Sequence, residues 1–246
     1  MNGLLVLDFD GVICDSIDEC FVSSWEACQR LGGAVGPVPE PPAGLPEAFA
    51  RLRPYVRTGE DFLVMLHAAE HGDRVGDQTG FDALARREEP GTLARFKALF
   101  YAARERLLAE ERTRWLSLNR VYPHAREALL GALDSGLPLR ILSTKKAPYI
   151  LEILGANGIV IPAADVHYCA SGPKVPRVRA LLARSGCQRA AFVDDQIDYL
   201  LGHDDARIDV YLASWGYVRP EWLAPPVRVP LIDADGLIAL VGRLSA

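Results

Sequence analysis

The sequence predicts an α/β protein: a doubly wound parallel sheet with helices on both faces, interrupted after its first strand by an inserted block of helices. Three observations predict it. Residues 4–7, Leu-Leu-Val-Leu, form an unbroken apolar run, as expected of a strand buried on both faces. From about residue 137 onward, short apolar runs alternate with helical patterns, which is the signature of βαβ units. Between 13 and 136 strand-like runs are nearly absent. A buried-type strand at the start must pair somewhere, so it joins the later sheet. The expected division is a core of residues 1–15 and 120–246 and a helical insertion of residues 16–119.

After the first strand, residues 16–31 carry Ile17, Phe21, Trp25 and Cys28 on one helical stripe. Ser16 and Glu19 have the spacing of a capping box. The Gly- and Pro-rich stretch 32–46 is a loop, a linker or flap. Residues 46–71 and 81–118 read as helical, separated by a Gly-containing loop at 72–80. In the second half, Leu139–Leu142 is a strand, followed by helix 147–157. Val166–Cys169 is a weaker strand, and Ser171-Gly172-Pro173-Lys174 opens helix 174–185. Ala190–Val193 is a strand running into Asp194 and Asp195, then helix 196–202. Val210–Ala213 is a strand, and residues 229–232 form a short edge strand marked by Pro230. Helix 235–244 follows.

Composition narrows the function classes. Half of the 246 residues are hydrophobic and 24% are charged, as in an ordinary globular protein. A formal charge of −5 argues against broad nucleic-acid binding. Five cysteines, with no Cys-x-x-Cys pair, suit reduced thiols in a cytoplasmic protein better than a disulfide framework or zinc site. No apolar run approaches the length of a membrane span, and the first apolar run is cut by Asp8 and Asp10 with no basic segment before it. The expectation is a cytoplasmic protein without membrane or nucleic-acid partners. The sequence carries no signal that fixes oligomeric state.

The chemistry lies at the strand ends, where open α/β sheets bind ligands. Asp8 and Asp10 follow the first strand two residues apart, so they share one side of an extended chain, and Gly11 lets the backbone turn after them. Two carboxylates this close call for a cation or a shared proton. Ile141-Leu142 leads into Ser143, Thr144, Lys145 and Lys146. Phe192-Val193 leads into Asp194, Asp195 and then Asp198. Parallel strands would bring these ends to one rim.

This ordered set resembles the haloacid dehalogenase superfamily, whose core is a Rossmann-like sheet, and within it the phosphatases with a helical cap. Asp8-x-Asp10-Gly11-Val12 matches its first motif, continued by Asp15-Ser16. Ser143 matches the second, Lys174 the lysine motif (with Val175 in place of the usual proline), and Asp194-Asp195 the fourth. Ser214-Trp215-Gly216-Tyr217 is similar to a late motif of phosphoglycolate-phosphatase-like members. The resemblance covers residues 3–20 and 122–246 and nothing specific in the insertion.

The resemblance implies a Mg²⁺-dependent phosphatase acting on a small phosphorylated metabolite through an aspartyl-phosphate. Asp8 would be the nucleophile and Asp10 the general acid and then base. Asp8 and Asp195 would hold Mg²⁺ by their carboxylates together with the Asp10 backbone carbonyl, and Asp194 would ligate it directly or orient a water. Ser143, with Thr144 beside it, and Lys174 would hold the phosphoryl oxygens. Competing readings of single residues stand beside these: Ser143 or Thr144 as a helix cap, Asp198 as an aid to the metal site or a surface acid, Lys145 as a substrate contact and Lys146 as a solvated side chain. Arg53 and Arg57, four apart, would form one basic stripe, read as a solvated helix face ahead of a substrate-binding one. Cys14 and His124 are structural, and the aromatic residues at 62, 81, 96, 100, 101 and 115 are insertion core. Competing functions are a phosphomutase with the same acids, a glycosyltransferase using Asp-x-Asp for a nucleotide-bound metal, and a non-catalytic binding protein of the same fold. Dehalogenation is disfavoured because Asp10 is present. Phosphonate hydrolysis is disfavoured because Lys97 is the only lysine between 16 and 115.

Overall fold

A computed structural model describes residues 3–170, 172–202 and 204–245; Ser171, quoted above, lies outside the described residues. In chain order, β1 (Gly3–Leu7) and the two-residue β2 (Cys14–Asp15) precede α1 (Ile17–Leu31), α2 (Leu45–Arg51), α3 (Asp61–His71), α4 (Gln78–Ala85), α5 (Pro90–Glu110) and α6 (Arg112–Ser117). β3 (Arg120–Val121), α7 (Pro123–Asp134), β4 (Leu139–Ser143), α8 (Ala147–Ala156), β5 (Val166–Tyr168), α9 (Val175–Ser185) and β6 (Arg189–Asp194) follow. β7 (Ile208–Ala213), α10 (Pro220–Leu223), β8 (Leu231–Ile232) and α11 (Ala234–Ser245) end the described chain. The chain divides into two compact units, residues 1–15 with 120–246, and residues 16–119.

In the first unit, six strands form a parallel sheet in the order β5-β4-β1-β6-β7-β8. The chain starts at the middle, works outward through β4 and β5, then returns to the other side of β1. That is the doubly wound order, and its switch point lies beside β1. Leu5 pairs with Leu139 and Ala191, and Leu7 with Ile141 and Val193, so β1 has a neighbour on each edge. All five β1 residues are buried. Leu4 and Val6 share an apolar cluster with Val175, Val178 and Leu182 of α9, while α11 packs on β1 as well. Both faces of β1 are therefore covered, which is why its sequence shows no polar alternation. β2 and β3 pair antiparallel, Asp15 opposite Arg120, with their side chains 2.8 Å apart. The insertion leaves and re-enters through this ribbon, a feature the sequence reading did not resolve.

The second unit gathers its own core around Phe21, Phe49, Phe62, Phe96 and Phe100. Phe21 meets Phe49 edge-on at 5.3 Å between centroids, and Phe62 stacks on Phe100 at 5.2 Å. Trp115 and Phe81 are buried too. Arg104 inserts among these rings, 4.5 Å from the Phe100 centroid, and forms two 2.7 Å hydrogen bonds to Glu19.

Several local expectations need correction. Ser16 occupies the N-cap of α1 but makes no cap hydrogen bond, and Glu19 turns inward to Arg104 and Ser23 instead. The capping box loses because a buried arginine is a stronger partner than a backbone N–H. The span 46–71 breaks at 52–60: Pro54 sits in a short 3₁₀ turn, and the Asp61 carboxylate accepts 2.8 Å hydrogen bonds from the backbone N–H groups of Arg57 and Thr58. Arg53 and Arg57 therefore share no helical stripe; Arg53 lies over Phe62 and Arg57 pairs with Asp82. The span 81–118 breaks before Pro90, where Glu89 is extended as the residue before a proline tends to be, and again at Glu111. Residues 196–202 form only a 3₁₀ turn, Ile197–Tyr199, so Asp198 is not one α-helical turn beyond Asp194.

Candidate active site

β1, β4 and β6 end at the same level of the sheet, and the next residues carry the acids, the serine and their partners. The Asp8 N–H still donates to Val193 O at 2.9 Å, so the ladder fixes the backbone that carries its carboxylate. The chain then folds back on itself: Phe9 O accepts from the N–H groups of Ile13 (2.8 Å) and Cys14 (2.9 Å). Gly11 makes the turn at φ +82°, a left-handed conformation that other residues rarely adopt.

Three carboxylates converge. Asp8, Asp194 and Asp195, all buried, offer ligand oxygens that lie within 4.8 Å of one another. Asp194, at the end of β6, accepts the Gln196 N–H on Oδ1 (2.9 Å) and Lys174 Nζ on Oδ2 (2.8 Å). Lys174 Nζ also stands 2.9 Å from Asp8 Oδ2. Asp195 Oδ2 accepts the Tyr217 N–H at 2.8 Å. Asp195 fits only because two glycines face it. A methyl group on Gly11 would lie 1.9 Å from Asp195 Oδ2, and one on Gly216 would lie 2.4 Å from Asp195 Cβ and 2.6 Å from Gly11 O.

Lys174 sits at the N-cap of α9 and is 1% exposed. Burial alone would drive its proton off, but Asp194 and Asp8 outweigh that and hold the ammonium above the ordinary lysine range. A helix N-terminus is a poor place for a cation, and the two carboxylates explain why one is there. Burial, with Asp8 as a like-charged neighbour, pushes Asp194 up, against the pull of Lys174.

The Asp10 carboxylate belongs to a second pair. Lys145, only 3% exposed, places Nζ 3.1 Å from Asp10 Oδ1. Ser143 is buried at the end of β4, and its Oγ accepts the Lys145 N–H at 3.2 Å. That bond shapes the turn after β4, which carries Lys145 toward Asp10. Thr144 and Lys146 are half-buried.

Of the residues singled out from sequence, Asp8, Asp194, Asp195 and Lys174 meet directly, Asp10 reaches Lys145, and Ser143 contacts Lys145 through its main chain. The sequence suggests Lys145 only as a substrate contact, and its pairing with Asp10 has no sequence signal beyond its place after β4. Tyr217 was legible only inside Ser214–Tyr217. It holds Asp195 by its N–H and Asp15 by its hydroxyl, at 2.8 Å. His124 lies between Tyr122 and Trp215, the latter ring 4.6 Å away.

The converging donors are oxygen-only and anionic, which suits a hard divalent cation. One observation tests the fit: Asp8 Oδ1 is buried and has no hydrogen-bond partner among the described residues. A buried carboxylate oxygen left this way is costly unless something else meets it.

No protein-family model matches the sequence, and no curated protein sequence matches it. Solved structures do. A "predicted phosphoglycolate phosphatase" from Haemophilus somnus 129pt is 17% identical, with 96% of each chain covered and a TM-score of 0.62. A haloacid dehalogenase-like family hydrolase from Streptococcus pneumoniae is 16% identical, with 99% of this chain and 98% of that one covered and a TM-score of 0.58. Protein Tyrosine Kinase A of Mycobacterium tuberculosis is 18% identical, with 97% of each chain covered and a TM-score of 0.56. The chain thus has the haloacid dehalogenase-like fold, both units included. Since one of these proteins is named as a kinase, the reaction has to be argued from the site.

Proposed function

We propose that the protein is a Mg²⁺-dependent phosphoric monoester hydrolase that works through an aspartyl-phosphate on Asp8. The observation that carries this reading is the buried, partnerless Asp8 Oδ1 beside Asp194 and Asp195. Asp8, Asp194 and Asp195 would hold the ion, with the Asp10 backbone carbonyl as a further donor. Bound there, Mg²⁺ supplies positive charge that lets an anionic carboxylate approach an anionic phosphate.

The residues then divide the work. An Asp8 carboxylate oxygen bonds to phosphorus as the bond from phosphorus to the leaving oxygen breaks. Asp10 gives that oxygen a proton and afterwards takes one from the water that hydrolyses the aspartyl-phosphate. Lys174 neutralises phosphoryl charge, and the hydroxyl of Ser143, with Thr144 beside it, is a further phosphate contact. Lys145 holds the Asp10 carboxylate in place. The 16–119 unit is assigned the role of a cap that reads the rest of the substrate, a small phosphorylated metabolite. A net charge of −5 supports no role for nucleic acid. Among the described residues no helix is long and apolar enough to cross a membrane. A cytoplasmic setting belongs to the same proposal, supported by five cysteines of which none is in a disulfide.

The test is hydrolysis of an aryl phosphate with Mg²⁺ and with chelator, in wild type and Asp8→Asn. Mg²⁺-dependent phosphate release that Asp8→Asn abolishes is the expected result. Full turnover by Asp8→Asn would overturn the assignment of the nucleophile.

A further inference from the structure

A second cluster of ligand-bearing side chains lies wholly inside the 16–119 unit. Cys28, in the last turn of α1, faces His67 and Glu70, one turn apart near the end of α3. One ligand atom from each lies within 4.8 Å of the others. We propose that Cys28, His67 and Glu70 bind one borderline-soft divalent cation of the Zn²⁺ class. The proposal does not depend on the phosphatase reading.

Three independent features support it. The donors are sulfur, imidazole nitrogen and carboxylate oxygen, a set that selects Zn²⁺, Co²⁺ or Ni²⁺ over Mg²⁺ or Ca²⁺. The three carboxylates of the core have the opposite preference, so donor chemistry sorts two different cations to two sites. Next, Glu88 Oε1 lies 2.8 Å from His67 Nδ1. A carboxylate behind an imidazole fixes the orientation of the ring, and this outer partner accompanies most metal-bound histidines. With Nδ1 engaged by Glu88, the proposal uses Nε2 as the His67 ligand atom. Lastly, the cluster is anionic and uncompensated: among the described residues neither Glu70 nor Glu88 pairs with a Lys or Arg.

Cys28 and His67 are half-buried and Glu70 is exposed, so the cluster opens to solvent on the Glu70 side. A cation can enter there, and water completes its coordination, since three protein ligands leave a fourth position open. On binding, the sulfur–hydrogen bond of Cys28 is replaced by a sulfur–metal bond, and the proton leaves to bulk water. The ion would tie the last turns of α1 and α3 together.

The experiment is titration of the full chain with Co²⁺, followed by displacement with Zn²⁺. A thiolate ligand gives Co²⁺ a near-ultraviolet charge-transfer band that an all-carboxylate site cannot produce. The expected result is a band that saturates at one equivalent, is bleached by Zn²⁺, survives Asp195→Asn and is absent in Cys28→Ser. Glu88→Gln is expected to weaken Co²⁺ binding about 10–100-fold, as loss of an outer carboxylate does elsewhere. Absence of the band in folded wild type, or its persistence in Cys28→Ser, overturns the proposal. Should Cys28→Ser fail to fold, wild type alone decides: Zn²⁺ should slow alkylation of Cys28 at least tenfold by peptide mass analysis. An unchanged alkylation rate overturns the proposal.

Discussion

Lys174 and Asp194 form an ion pair with both side chains buried, Nζ 2.8 Å from Oδ2, and the same Nζ reaches Asp8. One ammonium thus stabilises two carboxylates, with a third, Asp195, beside them. Breaking a buried pair by removing one partner costs about 3–5 kcal/mol, because the other charge stays behind. Lys174→Met is therefore expected to lower stability in urea unfolding by about that amount. Mg²⁺ should recover more stability in this variant than in wild type, because a bound cation takes over part of the lost charge. A variant as stable as wild type would show that the carboxylates do not depend on Lys174.

Lys145 acts on Asp10 rather than on bulk solvent, given its burial and the 3.1 Å contact. Lys145→Met should lower kcat at least about tenfold and at most by the roughly 10²–10⁴ that general acid–base catalysis contributes. Combined with Asp10→Asn, it should add little beyond the single change, as for residues that act as one unit. Additive losses would place Lys145 in a separate role.

Gly216 leaves the space that Asp195 Cβ and Gly11 O occupy. Gly216→Ala forces backbone or Asp195 to move, an overpacking cost of about 1–3 kcal/mol. The Mg²⁺ concentration giving half-maximal activity should rise by a larger factor than KM for substrate. An unchanged Mg²⁺ requirement would separate Asp195 from the metal.

These positions show what the sequence could disclose. The parallel sheet was legible because strands buried on both faces read as unbroken apolar runs, and the acids were legible because they follow those runs. The lysine at α9 was legible as part of a motif, while its double pairing was not. Lys145 and Gly216 depend on contacts between segments far apart in sequence, which spacing cannot reveal. Glu19 shows the reverse error: a good local capping signal overridden by Arg104, 85 positions away.

The Glu19–Arg104 pair gives a stability prediction of its own. Arg104→Met alone should cost about 3–5 kcal/mol, whereas Glu19→Met with Arg104→Met should recover much of that loss. Equal stability of single and double variants in urea melts would count against a buried-charge explanation.

His124 gives a pH dependence. Burial lowers its pKa from the ordinary 6.5, and burial lowers that of His167 too. The unfolded chain then binds more protons than the folded one, so stability falls as pH drops through about 6.5 toward the folded-state value. Above that range these groups contribute no slope. His124→Phe should flatten the urea-unfolding free energy between pH 7 and the lower end of that window, leaving the part due to His167.

The position of β1 also dictates an order of assembly during synthesis. β1 is made before β4 and β6, yet Leu5 must wait for Leu139 and Ala191, on those later strands, before both of its edges are satisfied. By then the whole 16–119 unit has left the ribosome, and its core from Cys20 to Phe100 is drawn from that unit alone. The insertion can condense first, while an all-apolar β1 is still unpaired and open to off-pathway association. The exposed interval of β1 thus ends only when β6, its second neighbour, has been made, however stable the finished sheet.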